Sequence, residues 1–517
     1  MNRLLCLGMA LSIPAVAAPS PVADAAMRRD SVAVRALLAQ KADVNEAQPD
    51  GATALIWAAR ANDAELVDLL LAAGANVNAA TRERATALSQ ASESGSTVVV
   101  EKLLRAGADV NGTFLSTGET ALMEASRTGN VEIIKTLLDH GANVNAKESL
   151  RGTTALMWAA AEGHAEAIRI LIERGAAADA QSKQDKAIAY GTAGPGAKIP
   201  ENLQSGGLTP LIFAVREGSF ESVKALVDAK AENPRASRED DAAANVNHTS
   251  GDGSTPLLVA VLNGRYDIAR YLIEKGANVN LANQKGWTPL YLAVKHRTNE
   301  TGTVPIPPND DQALDFIKLI LDLGAQVNTR LAYETEVHVA SHVFWLKEEG
   351  ATPFFRACYG GDVEVMKLLL AHGADPSIAT KDHTTPLMAF TGVGFTLGID
   401  HHRSHAEDMQ ALDLLLALGA DVNAANDQGM TPLMGAAQRG ANDEIRALVE
   451  HGANLAARDK GTYCGDARRT CSGAGMLALN FAKGVAVTVE APVYRLDTVA
   501  LIKQLMIERG IPIPDDN

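Results

Sequence analysis

The hydrophobic and polar positions of residues 50–78 predict two short helices separated by a turn. Apolar side chains recur at helical spacing from Leu55 to Ala59 and stop at a polar break, Asn62–Asp63. A second apolar stripe follows over residues 66–71. Small residues in the first stripe allow close packing between helices. This segment therefore predicts a helix-turn-helix unit.

The same segment carries start and stop signals for these helices. Thr53 is positioned as an N-cap, whose hydroxyl accepts from an amide at the helix start. Gly74 predicts a left-handed residue at the end of the second helix. Neither helix is long enough to be stable alone, so each unit must bury its apolar face against its neighbours.

The pattern recurs along the chain with a period of about 33 residues. Each copy begins with the phrase T-[AP]-L, and many copies end with G-A-[ND]-V-N. The first four threonines are 33, 34 and 34 residues apart. Ten copies carry the phrase, at Thr53, Thr86, Thr120, Thr154, Thr209, Thr255, Thr288, Thr352, Thr385 and Thr431.

These copies resemble ankyrin repeats, which have a β-turn, a T-P-L-H-x-A helix, a second helix and a loop that begins with glycine. The resemblance implies an all-α solenoid of about twelve stacked repeats, with long insertions in the C-terminal half. One departure is consistent: the family histidine after T-P-L is absent, and residues such as Ile56, Met123 and Phe355 replace it. We therefore expect burial, more than directed hydrogen bonds, to hold the turns.

The pattern divides the chain into five segments. Residues 1–17 read as a signal peptide, and residues 18–49 as an N-terminal capping repeat. Residues 50–183 form regular repeats, and residues 184–459 form repeats with inserted loops. Residues 460–517 read as a C-terminal capping repeat.

The start of the chain predicts export. Arg3 precedes an apolar stretch, and Ala15-Val16-Ala17 resembles a signal-peptidase site, so cleavage is expected near Ala17. The alternative is a buried N-terminal helix. We expect a periplasmic or secreted protein without a membrane-inserted segment. Cys464 and Cys471 would form a disulfide in such an oxidising compartment.

Charge narrows the choice of partner. The formal net charge is −15, which argues against nucleic acid as the main partner because phosphate backbones would be repelled. Aromatic residues make up only 4% of the chain, which suits thin stacked helices better than a large globular core. The expected species is a monomer that binds a protein partner.

Insertions interrupt the later repeats. Residues 184–206, 231–244 and 330–348 lengthen turns, whereas 297–311 and 391–406 fall between the helices of one repeat. Such insertions often lie on a binding face, although tolerated surface drift is the alternative.

The sequence contains few patterns typical of catalytic or ligand-binding sites. Residues 191–198 approach a phosphate loop, but the lysine is one position late and no hydroxyl follows it. His401, His402 and His405 lie together at metal-ligand spacing, and a solvated loop is the alternative to a metal site. We expect no catalytic residues, no bound metal and no cofactor.

The resemblance implies that partners contact the turn tips and the exposed side of the first helices, which edge a concave face. The hypothesis is therefore a non-catalytic scaffold or adaptor. The alternatives are a metal-binding or enzymatic protein that uses the inserted loops, and a secreted effector that acts on host proteins. The expected binding residues are Trp57, Arg60, Arg127, Trp158, Glu162, Phe213, Arg216 and Glu217.

Overall fold

The structure is a computed structural model of the chain. It describes residues 20–186, 204–229, 243–297, 310–333, 346–393, 404–461, 475–484 and 494–514.

Unit 1, the first of two compact units, comprises Met1–Lys183 and Thr209–Ala244. Its elements are α1 Pro21–Met27, α2 Ser31–Ala39, α3 Ala54–Arg60, α4 Ala64–Ala72, α5 Ala87–Glu93, α6 Thr97–Arg105, β1 Thr113–Phe114, β2 Glu119–Thr120, α7 Ala121–Arg127, α8 Val131–Asp139, α9 Ala155–Ala161, α10 Ala165–Glu173, α11 Pro210–Glu217 and α12 Phe220–Val227. Strands β1 and β2 form an antiparallel hairpin, in which Thr113 faces Thr120.

Unit 2 comprises Gln184–Leu208 and Asn245–Asn517. Its elements are β3 Gln184–Lys186, β4 Gln204–Gly206, α13 Pro256–Leu262, α14 Tyr266–Glu274, α15 Pro289–Arg297, α16 Asp310–Asp322, α17 Pro353–Gly360, α18 Val363–Ala371, α19 Pro386–Thr391, α20 His405–Ala417, α21 Pro432–Arg439, α22 Asn442–Glu450, α23 Ala478–Ala482 and α24 Leu496–Glu508. Strands β3 and β4 pair antiparallel.

Within each unit, helices of one kind pack in sequence. In unit 1 the first helices α3, α5, α7, α9 and α11 contact one another in order, and so do the second helices α4, α6, α8, α10 and α12. Alanines such as Ala58, Ala91 and Ala125 are fully buried on the first helices, where a larger side chain would hold neighbouring helices apart. The described elements therefore form an all-α stack of repeats, as the sequence predicts.

The threonine phrase marks the start of a first helix in all ten copies. Eight hydroxyls accept from the backbone N–H three residues later, those of Thr86, Thr120, Thr154, Thr209, Thr255, Thr288, Thr352 and Thr385. The specific prediction for Thr53 is wrong, because Thr53 is the N-cap residue of α3 but its hydroxyl makes no capping bond. That hydroxyl is buried without a partner among the described residues.

Gly74 has the predicted left-handed backbone, with a φ of +85°. The equivalent Gly107 has a φ of +89°. A Cβ at Gly74 would meet no atom within 4 Å. Its requirement for glycine is therefore conformational, since other L-residues rarely adopt this φ.

An asparagine ladder joins consecutive loops. The Asn78 side chain donates to Gly107 O at 3.2 Å and accepts from Asp109 N at 2.8 Å. Equivalent rungs start at Asn45, Asn111 and Asn145 in unit 1, and at Asn247, Asn280, Asn328 and Asn423 in unit 2. Each rung satisfies a loop carbonyl and a loop amide of the next repeat.

The turns before the first helices also carry directed hydrogen bonds, although the family histidine is missing. The apolar replacements are buried, as expected, at Ile56 and Met123. The bonds come from a different position, the first residue of the turn. For example, the Asn283 side chain accepts from Lys285 N and Trp287 N, at 3.0 and 3.1 Å.

Candidate functional site

The first helices of unit 1 carry one side chain each at the fourth position after the threonine. We call this set the first-helix row, which comprises Trp57, Gln90, Glu124, Trp158 and Phe213. The three aromatic members are half-buried, and Glu124 is almost fully buried. Because their helices pack in order, the row crosses five consecutive repeats.

Trp57 is fixed at its polar edge. Its indole N–H donates to Gln48 Oε1 at 2.7 Å, and Gln48 in turn donates to Asp24 Oδ1 at 2.7 Å. The exposed guanidinium of Arg60 lies over the ring, 5.6 Å from its centroid. The structure therefore places two predicted residues together and adds Gln48, which the sequence did not single out.

Trp158 is fixed in a similar way by the turn that precedes its helix. The indole N–H donates to Thr153 Oγ1 at 2.9 Å, and the Thr153 hydroxyl donates to Glu148 Oε1 at 3.0 Å. Backbone amides of residues 150, 151 and 153 also donate to the Glu148 carboxylate. Burial acts to raise the pKa of Glu148, but these hydrogen bonds outweigh it, and the pKa is lowered.

Phe213 and Arg216 form the last predicted pair of the row. The Arg216 guanidinium lies 5.1 Å from the ring centroid of Phe213. Arg216 and the neighbouring Glu217 are exposed. Aromatic rings covered by an arginine thus occur near both ends of the row, at α3 and α11.

Arg127 pairs with Glu124 of its own helix. Its Nε donates to Glu124 Oε2 at 3.3 Å, and Nη2 donates to Oε1. This hydrogen-bonded pair raises the pKa of Arg127, and the charges of Glu93 and Glu162 act in the same direction. Arg127 therefore lies in the field of carboxylates from α5, α7 and α9.

Glu119 adds a further carboxylate to this region, at the start of β2. Burial raises its pKa, the Thr117 hydroxyl bond opposes that effect, and the charges of Glu124 and Glu148 raise it further. We call Glu93, Glu119, Glu124 and Glu162 the central carboxylates. Sequence patterns gave no signal for Glu119, because it lies in β2, outside the repeated helix positions.

The equivalent row in unit 2 has a different character. Its positions hold Val259, Leu292, Arg356, Ala389 and Gly435, so none is aromatic. Arg356 and Glu348 form a buried ion pair, with Nη1 and Oε1 2.7 Å apart and side chains 3% and 5% exposed. Lys295 Nζ lies 3.9 Å from the same carboxylate.

The histidine cluster is only partly within the described residues. His405 Nε2 lies 3.2 Å from Asp443 Oδ2, whereas His383 Nδ1 lies 2.8 Å from Asp427 Oδ1. These two exposed histidines therefore have different carboxylate neighbours. His401, His402, Cys464 and Cys471 lie outside the described residues, as do residues 191–198.

Two features of the described ranges bear on the alternative functions. No group of three or more histidine, cysteine, aspartate or glutamate side chains there is arranged to hold a metal ion. Within the same ranges, every helix is too short or too polar to cross a bilayer.

Models of ankyrin repeats match most of the chain beyond residue 21. The model described as "Ankyrin repeats (3 copies)" matches residues 22–114, 100–184 and 236–331. "Ankyrin repeats (many copies)" matches residues 401–442, and "Ankyrin repeat" matches residues 349–381 and 428–460.

Individual relatives match shorter segments. "Ankyrin repeat and SAM domain-containing protein 6" of Rattus norvegicus is 32% identical over 123 residues, which are 23% of this chain and 11% of the relative. "Putative ankyrin repeat protein" of Rickettsia felis is 33% identical over 147 residues, 28% of this chain and 50% of the relative. "E3 ubiquitin-protein ligase XBAT32" of Arabidopsis thaliana is 34% identical over 86 residues, 17% of this chain and 15% of the relative. The matches thus span half or less of each of these relatives.

Proposed function

Because the chain belongs to the ankyrin-repeat family, whose repeats generally mediate protein–protein interaction, we propose that it is a non-catalytic adaptor. Its partner is a protein that binds the first-helix row of unit 1 and the adjoining turns. The observation that carries this proposal is the presentation of Trp57, Trp158 and Phe213 at one position of stacked first helices, with both indoles held by hydrogen bonds.

Fixed aromatic side chains favour binding for two physical reasons. Tryptophan and arginine are the residue types most often found at binding hot spots. In addition, side chains already held by hydrogen bonds lose little conformational entropy on association. The indole bonds to Gln48 and Thr153 provide this preorganisation at Trp57 and Trp158.

The proposed setting is the periplasm or the exterior of the cell. The support is the apolar stretch after Arg3 and the Ala15-Val16-Ala17 sequence. In that setting we expect cleavage near Ala17 and a disulfide between Cys464 and Cys471. N-terminal sequencing of the exported protein tests the cleavage. A mass difference of two hydrogens between oxidised and reduced C-terminal peptides tests the disulfide.

Affinity capture after mild cross-linking tests the adaptor proposal, with mass spectrometry of the bound proteins. A partner captured by the native chain should be lost from the triple variant Trp57→Ala, Trp158→Ala, Phe213→Ala. The matched control is Val32→Ala with Val98→Ala, which changes exposed apolar side chains on second helices of the same unit. Circular dichroism establishes that each variant retains its helices.

A second variant guards against structural damage by the triple substitution. Arg60→Glu with Arg216→Glu reverses two exposed charges beside the aromatic rings and leaves the core intact. A partner that binds both variants and the control equally well would contradict the proposed surface.

A further inference from the structure

The charged side chains along the first helices of unit 1 differ between the two ends of the row and its centre. Arg60 on α3 and Arg216 on α11 are exposed at the two ends. Between them lie the central carboxylates, contributed by α5, β2, α7 and the residue that follows α9. Arg127 is the cation among them, and it is already paired with Glu124.

The central carboxylates act on one another and on Arg127. Arg127 lies within the field of Glu93, Glu124 and Glu162, and Glu119 lies within that of Glu124 and Glu148. Since one guanidinium faces four central carboxylates, the middle of the surface carries an excess of negative charge. An added cation there would relieve carboxylate repulsion, whereas neither end has such an excess, because Arg60 lies at one end and Arg216 lies next to Glu217 at the other.

The aromatic side chains define where a bound segment would lie. Trp57 precedes the central carboxylates along the row, Trp158 is in the same repeat as Glu162, and Phe213 is in the repeat that follows them. Lysine and arginine have long aliphatic stems that can lie on apolar surface while the charged head points to a carboxylate. Thus the apolar row and the negative centre together favour one kind of occupant.

We propose, on the basis of the proposed adaptor function, that this surface binds an extended protein segment with lysine or arginine at its centre and neutral or acidic residues at its ends. The central cations contact Glu93 and Glu162, the exposed members of the central carboxylates, and the flanking residues lie beside Arg60 and Arg216.

The helix spacing sets the length of that segment. Packed helices lie about 8–10 Å apart, and an extended chain advances about 3.3 Å per residue, so one repeat corresponds to about three residues. The step from α5 to α9 covers two helix spacings. The basic centre is therefore about six residues long, and the flanks extend it by about three residues at each end.

A displayed library of random twelve-residue peptides, selected on the full chain at low salt, tests the inference. Enriched peptides should carry lysine or arginine at central positions and lack them at both ends. A synthetic peptide with that pattern should bind at least tenfold more tightly than one of the same composition with basic ends and an acidic centre. Fluorescence anisotropy measures both affinities.

Charge reversal on the protein supplies the matched comparison. Glu93→Lys with Glu162→Lys changes two exposed carboxylates of the centre. The control, Glu132→Lys with Glu166→Lys, makes the same change at second-helix carboxylates that are 68% and 63% exposed. The basic-centred peptide should lose at least tenfold in affinity for the first variant and less than about twofold for the control.

The outcomes separate this inference from the adaptor proposal. Selected peptides that bind the Glu93→Lys, Glu162→Lys variant as tightly as the native chain would overturn the charge rule. If they still required Trp57, Trp158 and Phe213, the adaptor surface would stand. Enrichment of neutral or acidic-centred peptides, or of none over the unselected library, would also overturn the inference.

Discussion

The side-chain amide of Asn111 donates to the carbonyl oxygen of Gly141, 3.2 Å away in the next loop of unit 1. Its oxygen accepts from Asn143 N at 2.8 Å. Both bonds are exposed, so water can replace part of them. We expect Asn111→Ala to cost about 1 kcal/mol in the free energy of unfolding. Asn111→Asp keeps the acceptor and loses the donor, so its free energy of unfolding should fall between those of the native chain and the alanine variant. Urea unfolding followed by circular dichroism measures both, and an alanine variant as stable as the native chain would contradict the ladder's contribution.

Ser377 occupies an asparagine position of the ladder, and its hydroxyl donates to Asp375 in its own loop at 2.6 Å. Among the described residues, no rung runs from Ser377 to the loop at residues 419–421. Ser377→Asn should add a rung of the ladder at this position and stabilise unit 2 by up to about 1 kcal/mol. Ser377→Ala is the control, because it removes the hydroxyl without adding a side chain that reaches the next loop. The expectation fails if the asparagine variant unfolds at the same urea concentration as the alanine variant.

The buried pair Glu348–Arg356 predicts a strong non-additive effect. Arg356→Met leaves the Glu348 carboxylate buried beside the more distant Lys295, and should cost about 3 kcal/mol. The double variant Glu348→Leu, Arg356→Met removes both charges and should recover most of that loss. Chemical denaturation of the two single variants and the double variant measures the coupling. Equal stability of the Arg356→Met variant and the native chain would contradict the predicted contribution of the ion pair.

Gly435 is the α21 member of the equivalent row in unit 2. A Cβ there would come within 2.7 Å of Val393 N and 3.1 Å of Thr391 O. Alanine is the better helix former by about 1 kcal/mol, but the contact is with backbone atoms that cannot rotate away. Gly435→Ala should therefore destabilise unit 2 by about 1–3 kcal/mol. Thermal unfolding measures the sign, and a rise in Tm would show that the helix preference dominates.

His296 predicts a pH dependence of stability. Burial and the charge of Lys295 lower its pKa to about 4, from an ordinary value of 6.5. The unfolded chain therefore binds more protons between these values, so stability is complete above about pH 6.5 and is lost as the pH falls towards 4. Each pH unit in this window costs at most about 1.4 kcal/mol for this group.

His296→Asn removes this titration and serves as the comparison. Urea midpoints at pH 7.5, 5.5 and 4.5 should converge for the two proteins as the pH falls, because only the native chain carries this histidine penalty. Parallel curves for the native chain and the variant would contradict the assignment. Tyr266, whose hydroxyl lies 3.3 Å from His296 Nδ1, is present in both proteins.

The sequence predicts the helices well because each repeat contains residues that mark where its helices begin and end. Thr86 and its equivalents stand immediately before a first helix, and Gly74 and its equivalents follow a second helix with positive φ. These are local preferences, which neighbouring residues determine. The missing capping bond at Thr53 and the turn bonds from Asn283 depend on geometry that the repeat pattern does not encode.

The candidate surface could be predicted only in part. Trp57, Trp158 and Phe213 share one repeat position, so aligning the copies finds them. Gln48 lies in the turn before α3 and Glu119 lies at the start of β2, and the contact of Gln48 with Trp57 and the closeness of Glu119 to Glu148 arise only in the folded structure. Such contacts between different parts of a repeat have no periodic signature in the sequence.

The asparagine rungs also bear on how this chain can change over evolutionary time. The rung from Asn247 reaches a glycine 29 residues away, whereas the rung from Asn280 reaches one 44 residues away, at the same 3.1 Å distance. The joint between neighbouring repeats is thus independent of the length of chain that separates them. A lineage can lengthen, shorten or replace an intervening loop in one step while the register of the stack is inherited unchanged.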